Sequence, residues 1–257
     1  MEEEILNILA RIEQAENVRI LLAVESGSRA WGFASPDSDY DVRFIYVRPK
    51  DEYLRLQKCR DVIEWPLSHE LDINGWDLSK TLRLLHKSNP TLFEWFSSPI
   101  VYLETDFAAR FQSTMGRYFS SKRGLYHYIN MASRNYREYL KSDMVKVKKY
   151  FYVLRPVLAC RWILDKGTPP PMLFSELVES QLVLKLKPEV ERLLDLKLHS
   201  PEVRMIPKIK ALNEYLDSSI EEISQIIAVL PETSDNGWEE LNALFLSETN
   251  ALSNKVI

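Results

Sequence analysis

The hydrophobic pattern of this chain changes period along its length, and that change constrains the fold more than any other feature. Up to about residue 76 the sequence contains apolar runs of strand length, whereas beyond about residue 104 apolar residues recur only at helical spacing. The low glycine content also indicates a helix-rich chain, because 7 glycines in 257 residues is well below the usual level of roughly 7%. The pattern predicts an α+β protein, with a small mixed β-sheet core and flanking helices over 1–104 and an all-helical C-terminal domain over 105–257.

Two strands of the predicted core stand out in the sequence. The run 18–24 is mostly apolar and β-branched, which is typical of an interior strand. The second strand covers 39–47, where aromatic and aliphatic residues alternate with Asp39, Asp41 and Arg43. Because successive side chains of a strand point to opposite faces, these three polar residues share one face.

The remaining elements follow from start and stop signals. Residues 62–76 are predicted to hold a third and a fourth strand, and Asp77 and Asn89 are each predicted to cap the N-terminus of a helix. Proline and glycine separate the later helices. Further helical patterns cover 3–16, 105–114, 117–141, 144–166, 173–183, 187–197, 204–228 and 237–251.

Charge is unevenly distributed along the chain. The 33 Lys and Arg against 37 Asp and Glu give a formal net charge of −4. Between Arg110 and Lys166, however, thirteen basic residues accompany only three acidic ones. Such a basic segment in an acidic protein is typical of a bound polyanion such as a nucleotide or nucleic acid, and equally of a solvated helical surface.

The sequence also bears on the compartment. Its apolar runs are much shorter than the roughly 18 to 20 residues of a membrane-spanning helix. The first residues, Met1–Ile5, are acidic where a secretory signal would be basic. The two cysteines, Cys59 and Cys160, make no disulfide framework by themselves. We therefore expect a cytoplasmic protein without a membrane partner.

Residues around the turn between the first two strands indicate chemistry. Gly27 and Ser28 follow the buried strand, where the backbone can approach a phosphate and the amides of a beginning helix can bind it. After a spacer of ten residues, Asp39 and Asp41 project to the same side of one strand. Two such carboxylates repel each other, and hard divalent cations such as Mg²⁺ prefer carboxylate oxygens. The pattern therefore predicts a pair of divalent cations at this site.

The Gly-Ser pair, the ten-residue spacer and the Asp-x-Asp strand resemble the signature of the DNA polymerase β-type nucleotidyltransferases. Within that superfamily, the string 25–43 is most similar to the predicted nucleotidyltransferases associated with RNA-repair ligases. The resemblance runs from about residue 20 to 171. Further shared segments are Gly75–Lys80, Asn89–Pro90 with Glu94–Trp95, and Lys148–Pro156.

The resemblance implies a third metal-binding carboxylate, on a strand after the hairpin. Asp72 is the favoured candidate, because Leu71 and Ile73 can pack inward while Asp72 faces the other side. Asp77 competes with it, although helix capping alone explains that residue. Glu70 is a weaker third candidate.

The resemblance also implies contacts to the nucleotide beyond Gly27 and Ser28. Arg29 and Arg43 lie next to the carboxylates, where either would clamp a triphosphate or pair with the aspartates. A helix after the core commonly supplies a lysine to the phosphates in this superfamily. Lys148 or Lys149 is expected to do so here, with Tyr152 on the same helix as Lys148 and on the same face.

Together these features imply an Mg²⁺-dependent nucleotidyltransferase. It would transfer a nucleoside monophosphate from an NTP, with ATP expected, to a hydroxyl of an RNA end, a protein or a small molecule. Two Mg²⁺ ions, or Mn²⁺ in their place, would be held by the catalytic residues Asp39, Asp41 and Asp72. The alternatives are a catalytically inactive nucleotide- or RNA-binding module and an AMPylating, antitoxin-like enzyme that modifies proteins.

Overall fold

The computed structural model describes residues 1–65, 70–199, 203–231 and 237–253 of the chain. The elements alternate between strands and helices in the first part of the chain and are mostly helical in the second. In chain order they are α1 (Glu2–Glu16), β1 (Arg19–Glu25), α2 (Gly27–Ala30), β2 (Tyr40–Val47), α3 (Lys50–Tyr53), β3 (Val62–Glu64), β4 (Leu71–Asp77), α4 (Leu78–His86), α5 (Pro90–Phe96), β5 (Val101–Glu104), α6 (Asp106–Met115), α7 (Ser121–Tyr139), β6 (Met144–Lys146), α8 (Val147–Lys166), α9 (Phe174–Gln181), α10 (Lys187–Leu198), β7 (Met205–Pro207), α11 (Lys210–Val229) and α12 (Glu239–Ser253).

The chain forms two compact units. The first comprises Met1–Gly27, Asp39–Tyr118 and Asp235–Ile257, and the second comprises Ser28–Ser38 and Phe119–Ser234. The last helix lies in the first unit, and the predicted domains 1–104 and 105–257 stay a prediction.

Packing explains why the C-terminal helix belongs with the sheet. Helix α12 contacts α3, α4 and α6. Glu248, which is buried, pairs with both Arg19 and Arg110, and Thr114 donates a hydrogen bond to Glu240 at 3.0 Å. These contacts join residues more than 120 positions apart, so local sequence patterns do not reveal them.

A five-stranded sheet in the order β3-β4-β2-β1-β5 organises the first unit. Strands β2 and β4 run parallel, and every other neighbouring pair is antiparallel, which confirms the predicted mixed sheet. In the parallel register Asp41 lies opposite Asp72. The sheet therefore places two of the predicted metal-binding carboxylates side by side on neighbouring strands.

Strand β2 is polar only where it begins. Its alternation is confirmed on one face, where Val42, Phe44 and Tyr46 are buried in a core shared with α1. Further along the strand, Ile45 and Val47 on the other face are buried as well. Since helices cover the later part of the sheet on both faces, ionisable groups remain accessible only at the start of β2.

The second unit is helical apart from one short strand pair. Helix α8 lies at its centre and packs against α7, α9, α10 and α11. Most of its residues are buried, which is typical of a helix in the interior of a protein rather than on its surface. Among the residues that the structure describes, none of the helices combines the length and the apolar character needed to cross a membrane.

The predicted helical C-terminal region is confirmed, and one short strand pair interrupts it. Strands β6 and β7 pair antiparallel at the start of the predicted helices 144–166 and 204–228, so that α8 and α11 begin only after them. The buried residues Val145 and Ile206 each lie between exposed neighbours, and Pro207 has no amide donor for a helix. Three residues are too few for this alternation to be recognised in the sequence.

Candidate functional site

The parallel pair of strands brings two carboxylates onto one arginine. Arg43 Nη2 donates to Asp41 Oδ1 at 2.9 Å and to Asp72 Oδ2 at 2.7 Å. Its Nη1 donates to the carbonyl oxygen of Asp72 at 2.8 Å. Of the two roles that the sequence left open for Arg43, the structure shows pairing with the aspartates. The guanidinium neutralises charge that would otherwise be repulsive.

The surroundings of Asp41 raise the pKa of its side chain. Burial is the largest influence and raises its pKa above the ordinary value. The Arg43 guanidinium opposes that effect, whereas the negative charges of Asp72 and Asp39 add to it. The net direction is upward, so the ionised Asp41 is held at an energetic cost that a bound cation would relieve.

Asp39 completes the group from the position just before β2. Its side chain is exposed, and its charge is close enough to act on Asp41. Because Asp39 and Asp41 are two residues apart in extended backbone, they share a face. The structure thus brings Asp39, Asp41 and Asp72 into one electrostatic cluster.

Neither of the competing candidates for the third carboxylate lies opposite Asp41 in the strand register. Asp77 is 2% exposed at the far end of β4, where it caps α4 through the amide of Ser79 at 2.7 Å and accepts a bond from the Tyr53 hydroxyl at 2.9 Å. Glu70 precedes β4, and its backbone carbonyl accepts from the amide of Tyr40 at 2.8 Å. Asp72 is therefore the candidate that the structure places beside Asp41.

Glu25 is a residue of the site that sequence reasoning missed. Its buried carboxylate accepts the backbone N–H of Asp41 at 2.7 Å and the hydroxyl hydrogen of Tyr102. The carbonyl of Asp41 in turn accepts from the amide of Ser26 at 2.8 Å. Glu25 therefore holds the backbone of the Asp-x-Asp strand. A signal was present, because an acidic residue at the end of an otherwise buried strand needs a partner.

Gly27 shapes the site through the side chain that it lacks. Its φ is +61°, in the left-handed region that glycine tolerates best. A Cβ at this position would lie 2.1 Å from Oδ2 of Asp41, far inside van der Waals contact. The glycine after β1 therefore permits Asp41 to occupy its position.

Gly27→Ala should accordingly disturb both folding and the site. We expect the left-handed backbone to cost roughly 1–2 kcal/mol of stability, and the clash to displace the Asp41 carboxylate with loss of most activity. Gly116→Ala is the matched control, because Gly116 has ordinary right-handed backbone and nothing within 4 Å of its Cβ position. Urea unfolding and initial rates of both variants test this. Wild-type rates for Gly27→Ala would contradict the close approach of Gly27 to Asp41.

The carboxylates fit a hard divalent cation in their chemistry, since all three donors are oxygens on or beside neighbouring strands. Within the described ranges, no group of three or more His, Cys, Asp or Glu side chains is arranged at metal-binding distances. Arg43 lies between Asp41 and Asp72 and supplies the positive charge. The carboxylates thus match a divalent cation in the kind of donor atom, and Arg43 is their present counter-ion.

Arg43→Gln should make the protein depend on a divalent cation for stability. Exposed ion pairs contribute about 0.2–1 kcal/mol, and breaking buried ones costs about 3–5 kcal/mol. For this half-buried pair we expect a loss of stability between these two ranges, measured by thermal unfolding in EDTA. Mn²⁺ should restore the melting temperature. Adding Asp72→Asn to the variant should recover part of the loss in EDTA, because one repelling charge is removed. A melting temperature insensitive to Arg43→Gln would contradict the bridging role.

The other predicted nucleotide contacts belong to the second unit. Arg29 Nη2 donates to the carbonyl of Ser38 at 2.7 Å, and the carbonyl of Ser28 accepts from the amide of Phe33 at 3.1 Å. Both residues therefore help to fold the segment that leads into β2. Binding of a nucleotide by Gly27, Ser28 and Arg29 stays a prediction.

Lys148, Lys149 and Tyr152 lie in the first turns of α8. Lys149 Nζ lies 3.5 Å from the ring centre of Tyr139 and 4.8 Å from that of Tyr152. Lys149 thus reaches Tyr152 as an i,i+3 neighbour, although the sequence predicted only Lys148 on the face of that tyrosine. Nucleotide contacts by these three residues stay predictions.

Comparison with known proteins gives the geometry a context. Residues 1–247 match the RlaP family model, described as the RNA repair pathway DNA polymerase beta family. The chain is 48% identical over 250 residues to the "Uncharacterized protein YcgL" of Bacillus subtilis (strain 168), with 96% of each sequence covered. A crystal structure of a nucleotidyltransferase-like protein from Exiguobacterium sibiricum 255-15 matches at 15% identity and a TM-score of 0.30, covering 99% of this chain and 90% of that one. The family match confirms the resemblance found in the sequence, and the chain belongs to the RNA repair pathway DNA polymerase beta family.

Proposed function

We propose that this protein transfers a nucleoside monophosphate from an NTP to the hydroxyl of an RNA end. The observation that carries the proposal is the cluster of Asp39, Asp41 and Asp72 at the start of two parallel strands, in a chain of this family. A protein that only binds nucleotides has no need to hold repelling carboxylates together. We take ATP as the nucleotide and Mg²⁺ as the ion, with Mn²⁺ as a substitute.

The proposal gives the four carboxylates of the site three roles: binding of cations, acceptance of a proton and support of the backbone. Asp39, Asp41 and Asp72 would hold two divalent cations, which supply charge stabilisation for the attacking and leaving oxygens of an in-line displacement. Asp72, the more exposed partner of Arg43, accepts the proton of the acceptor hydroxyl. Glu25 keeps the backbone of Asp41 in place throughout.

The proposed reaction forms one bond and breaks one bond, and it needs no further co-reactant. The acceptor oxygen bonds to the α-phosphorus of the NTP, and the bond from that phosphorus to the bridging oxygen breaks. Pyrophosphate leaves with the bridging oxygen and its electron pair. With cations bound by Asp41 and Asp72, Arg43 would be available to pair with phosphate oxygens.

Two features favour RNA as the acceptor. The family is described by an RNA repair pathway. In addition, thirteen basic residues lie between Arg110 and Lys166 against three acidic ones. Such a segment would bind single-stranded RNA more weakly as the salt concentration rises. A plot of log affinity against log salt concentration would steepen by about 0.7 for each phosphate contacted.

Label transfer from α-labelled NTPs tests the proposal. The protein is incubated with Mg²⁺ and each NTP in turn, with RNA oligonucleotides bearing free hydroxyl ends or with cell lysate, and Asp41→Asn serves as the inactive control. We expect label in RNA together with released pyrophosphate. Label in a protein band would favour the AMPylating alternative. Nucleotide binding without pyrophosphate release would favour an inactive binding module.

Lys149 provides a test of the nucleotide-binding helix. A triphosphate carries about four negative charges. Two divalent cations cannot balance these charges together with those of three carboxylates, so further positive charge is needed. Lys149→Glu should therefore raise the KM for NTP at least about tenfold with a smaller change in kcat. Lys210→Glu is the control, because Lys210 is exposed and lies outside the basic segment. Equal KM values for the two variants would remove Lys149 from the nucleotide site.

A further inference from the structure

A lysine is buried in the second unit against two serines. Lys197 lies near the end of α10 and is 3% exposed. Its Nζ donates to Ser35 Oγ at 2.7 Å and lies 3.5 Å from Ser38 Oγ. An ammonium group is seldom buried so deeply, because removing it from water is costly unless hydrogen bonds and charges compensate. The hydrogen bonds to the serines identify the segment that this lysine stabilises.

The two serines close a turn. The hydroxyl oxygens of Ser35 and Ser38 are 2.9 Å apart, the amide of Ser35 donates to Ser38 Oγ at 2.9 Å, and the amide of Ser38 donates to the carbonyl of Ser35 at 3.0 Å. Arg29 donates to the carbonyl of Ser38 at 2.7 Å. Two cationic side chains therefore hold both the side chain and the backbone of Ser38.

Ser38 is followed directly by Asp39. Consecutive Cα atoms are a fixed 3.8 Å apart across a trans peptide bond, so a constraint on the carbonyl of Ser38 limits where the backbone of Asp39 can be. A mobile turn would let the exposed Asp39 side chain sample many positions, and a metal ligand needs few.

We propose that Lys197 is a positioning residue that holds the Ser35–Ser38 turn and thereby orients Asp39 for metal binding. The inference rests on the proposed function, which makes Asp39 a metal ligand. It assigns a role at the catalytic carboxylates to a lysine that lies 158 residues further along the chain. The side chain acts through the turn and does not itself contact the reacting atoms.

Lys197→Met tests the inference, because methionine keeps the apolar volume of the side chain and removes the ammonium group. The affinity for Mn²⁺ is measured by electron paramagnetic resonance, and amide exchange of residues 33–40 is measured by mass spectrometry. We expect a 10- to 100-fold weaker affinity for Mn²⁺, the range seen when groups that support metal ligands are removed, together with faster exchange at Ser35 and Ser38. Lys197→Arg should retain most of the affinity, and Lys187→Met on the same helix should change neither readout.

Ser38→Ala provides a second variant should Lys197→Met fail to fold, because it removes an acceptor and leaves the lysine. Unchanged Mn²⁺ affinity and unchanged exchange in a folded variant would overturn the positioning role. If the wild-type protein itself bound no Mn²⁺, the proposed function would fall, and with it the role given to Asp39. Binding of Mn²⁺ by the wild type with equal binding by the variants overturns the inference alone.

Discussion

If Asp41 binds both cations as proposed, Asp41→Asn should reduce nucleotidyl transfer to about one per cent of the wild-type rate or less, because a neutral amide binds divalent cations more weakly than a carboxylate. Asparagine retains an oxygen that can accept the bond from Arg43, so the surrounding structure should persist. Pyrophosphate release at saturating NTP and Mg²⁺ measures the effect. Asp61→Asn is a suitable control, because Asp61 is a half-exposed carboxylate of the same unit whose backbone pairs with Asp77 at the far end of β4.

The same substitution should leave the metal-free protein at least as stable as the wild type. Burial, joined by the charges of Asp72 and Asp39, raises the pKa of Asp41. A carboxyl whose pKa is higher in the folded state than in the unfolded state lowers stability as pH rises from its ordinary value through the raised one. The cost therefore grows as pH rises, and asparagine removes it. Urea unfolding of both proteins in EDTA at pH 5 and pH 7 checks this: the stability of Asp41→Asn relative to the wild type should be greater at pH 7.

Activity above a few per cent in Asp41→Asn would contradict a site centred on this carboxylate. A large loss of stability in EDTA would contradict the view that Asp41 is held at an energetic cost. The two readouts are independent, since the first depends on the bound ion and the second on the protein alone.

Substitution of Asp72 and substitution of Asp77 should have opposite effects on turnover and on stability. Asp72→Asn should remove turnover with little change in stability, because Asp72 is half-exposed and lies beside Asp41. Asp77→Ala should retain turnover and lose stability, because Asp77 caps α4 and accepts a bond from Tyr53. A lost N-cap costs about 0.5–2 kcal/mol, and an unsatisfied buried hydroxyl adds about 1–3 kcal/mol.

Turnover and urea unfolding of the two variants, measured side by side, separate the assignments. Loss of turnover in Asp77→Ala with an intact Asp72→Asn would move the third carboxylate to the far end of β4. Parallel losses in both variants would show that α4 and the cluster of Asp39, Asp41 and Asp72 depend on each other.

Local chemistry made much of the first unit predictable from the sequence. Asp77 and Asn89 cap the helices that they were predicted to cap, each by accepting an amide two residues on. The alternation of β2 put Asp39 and Asp41 on one face because side-chain direction follows from the backbone alone. These features depend on residues within a few positions of one another.

Long-range pairing made the rest unpredictable. The parallel register that sets Asp41 opposite Asp72 follows from strand order, and no residue of either strand encodes it by itself. The contact of Glu25 with the Asp41 amide and that of Lys197 with Ser35 each join side chains distant in sequence. The sequence located the candidate ligands, and the fold supplied the groups that hold them.

Comparison of α-labelled and γ-labelled ATP tests the central proposal most directly. The wild-type protein and Asp41→Asn are each incubated with Mg²⁺, an RNA with free hydroxyl ends and one labelled nucleotide or the other. We expect α-label to enter RNA in equal amount to the pyrophosphate released, γ-label to appear only in pyrophosphate, and neither change to occur with Asp41→Asn. Transfer of γ-label to RNA, or release of pyrophosphate by Asp41→Asn at the wild-type rate, would contradict a nucleotidyltransferase site at Asp39, Asp41 and Asp72.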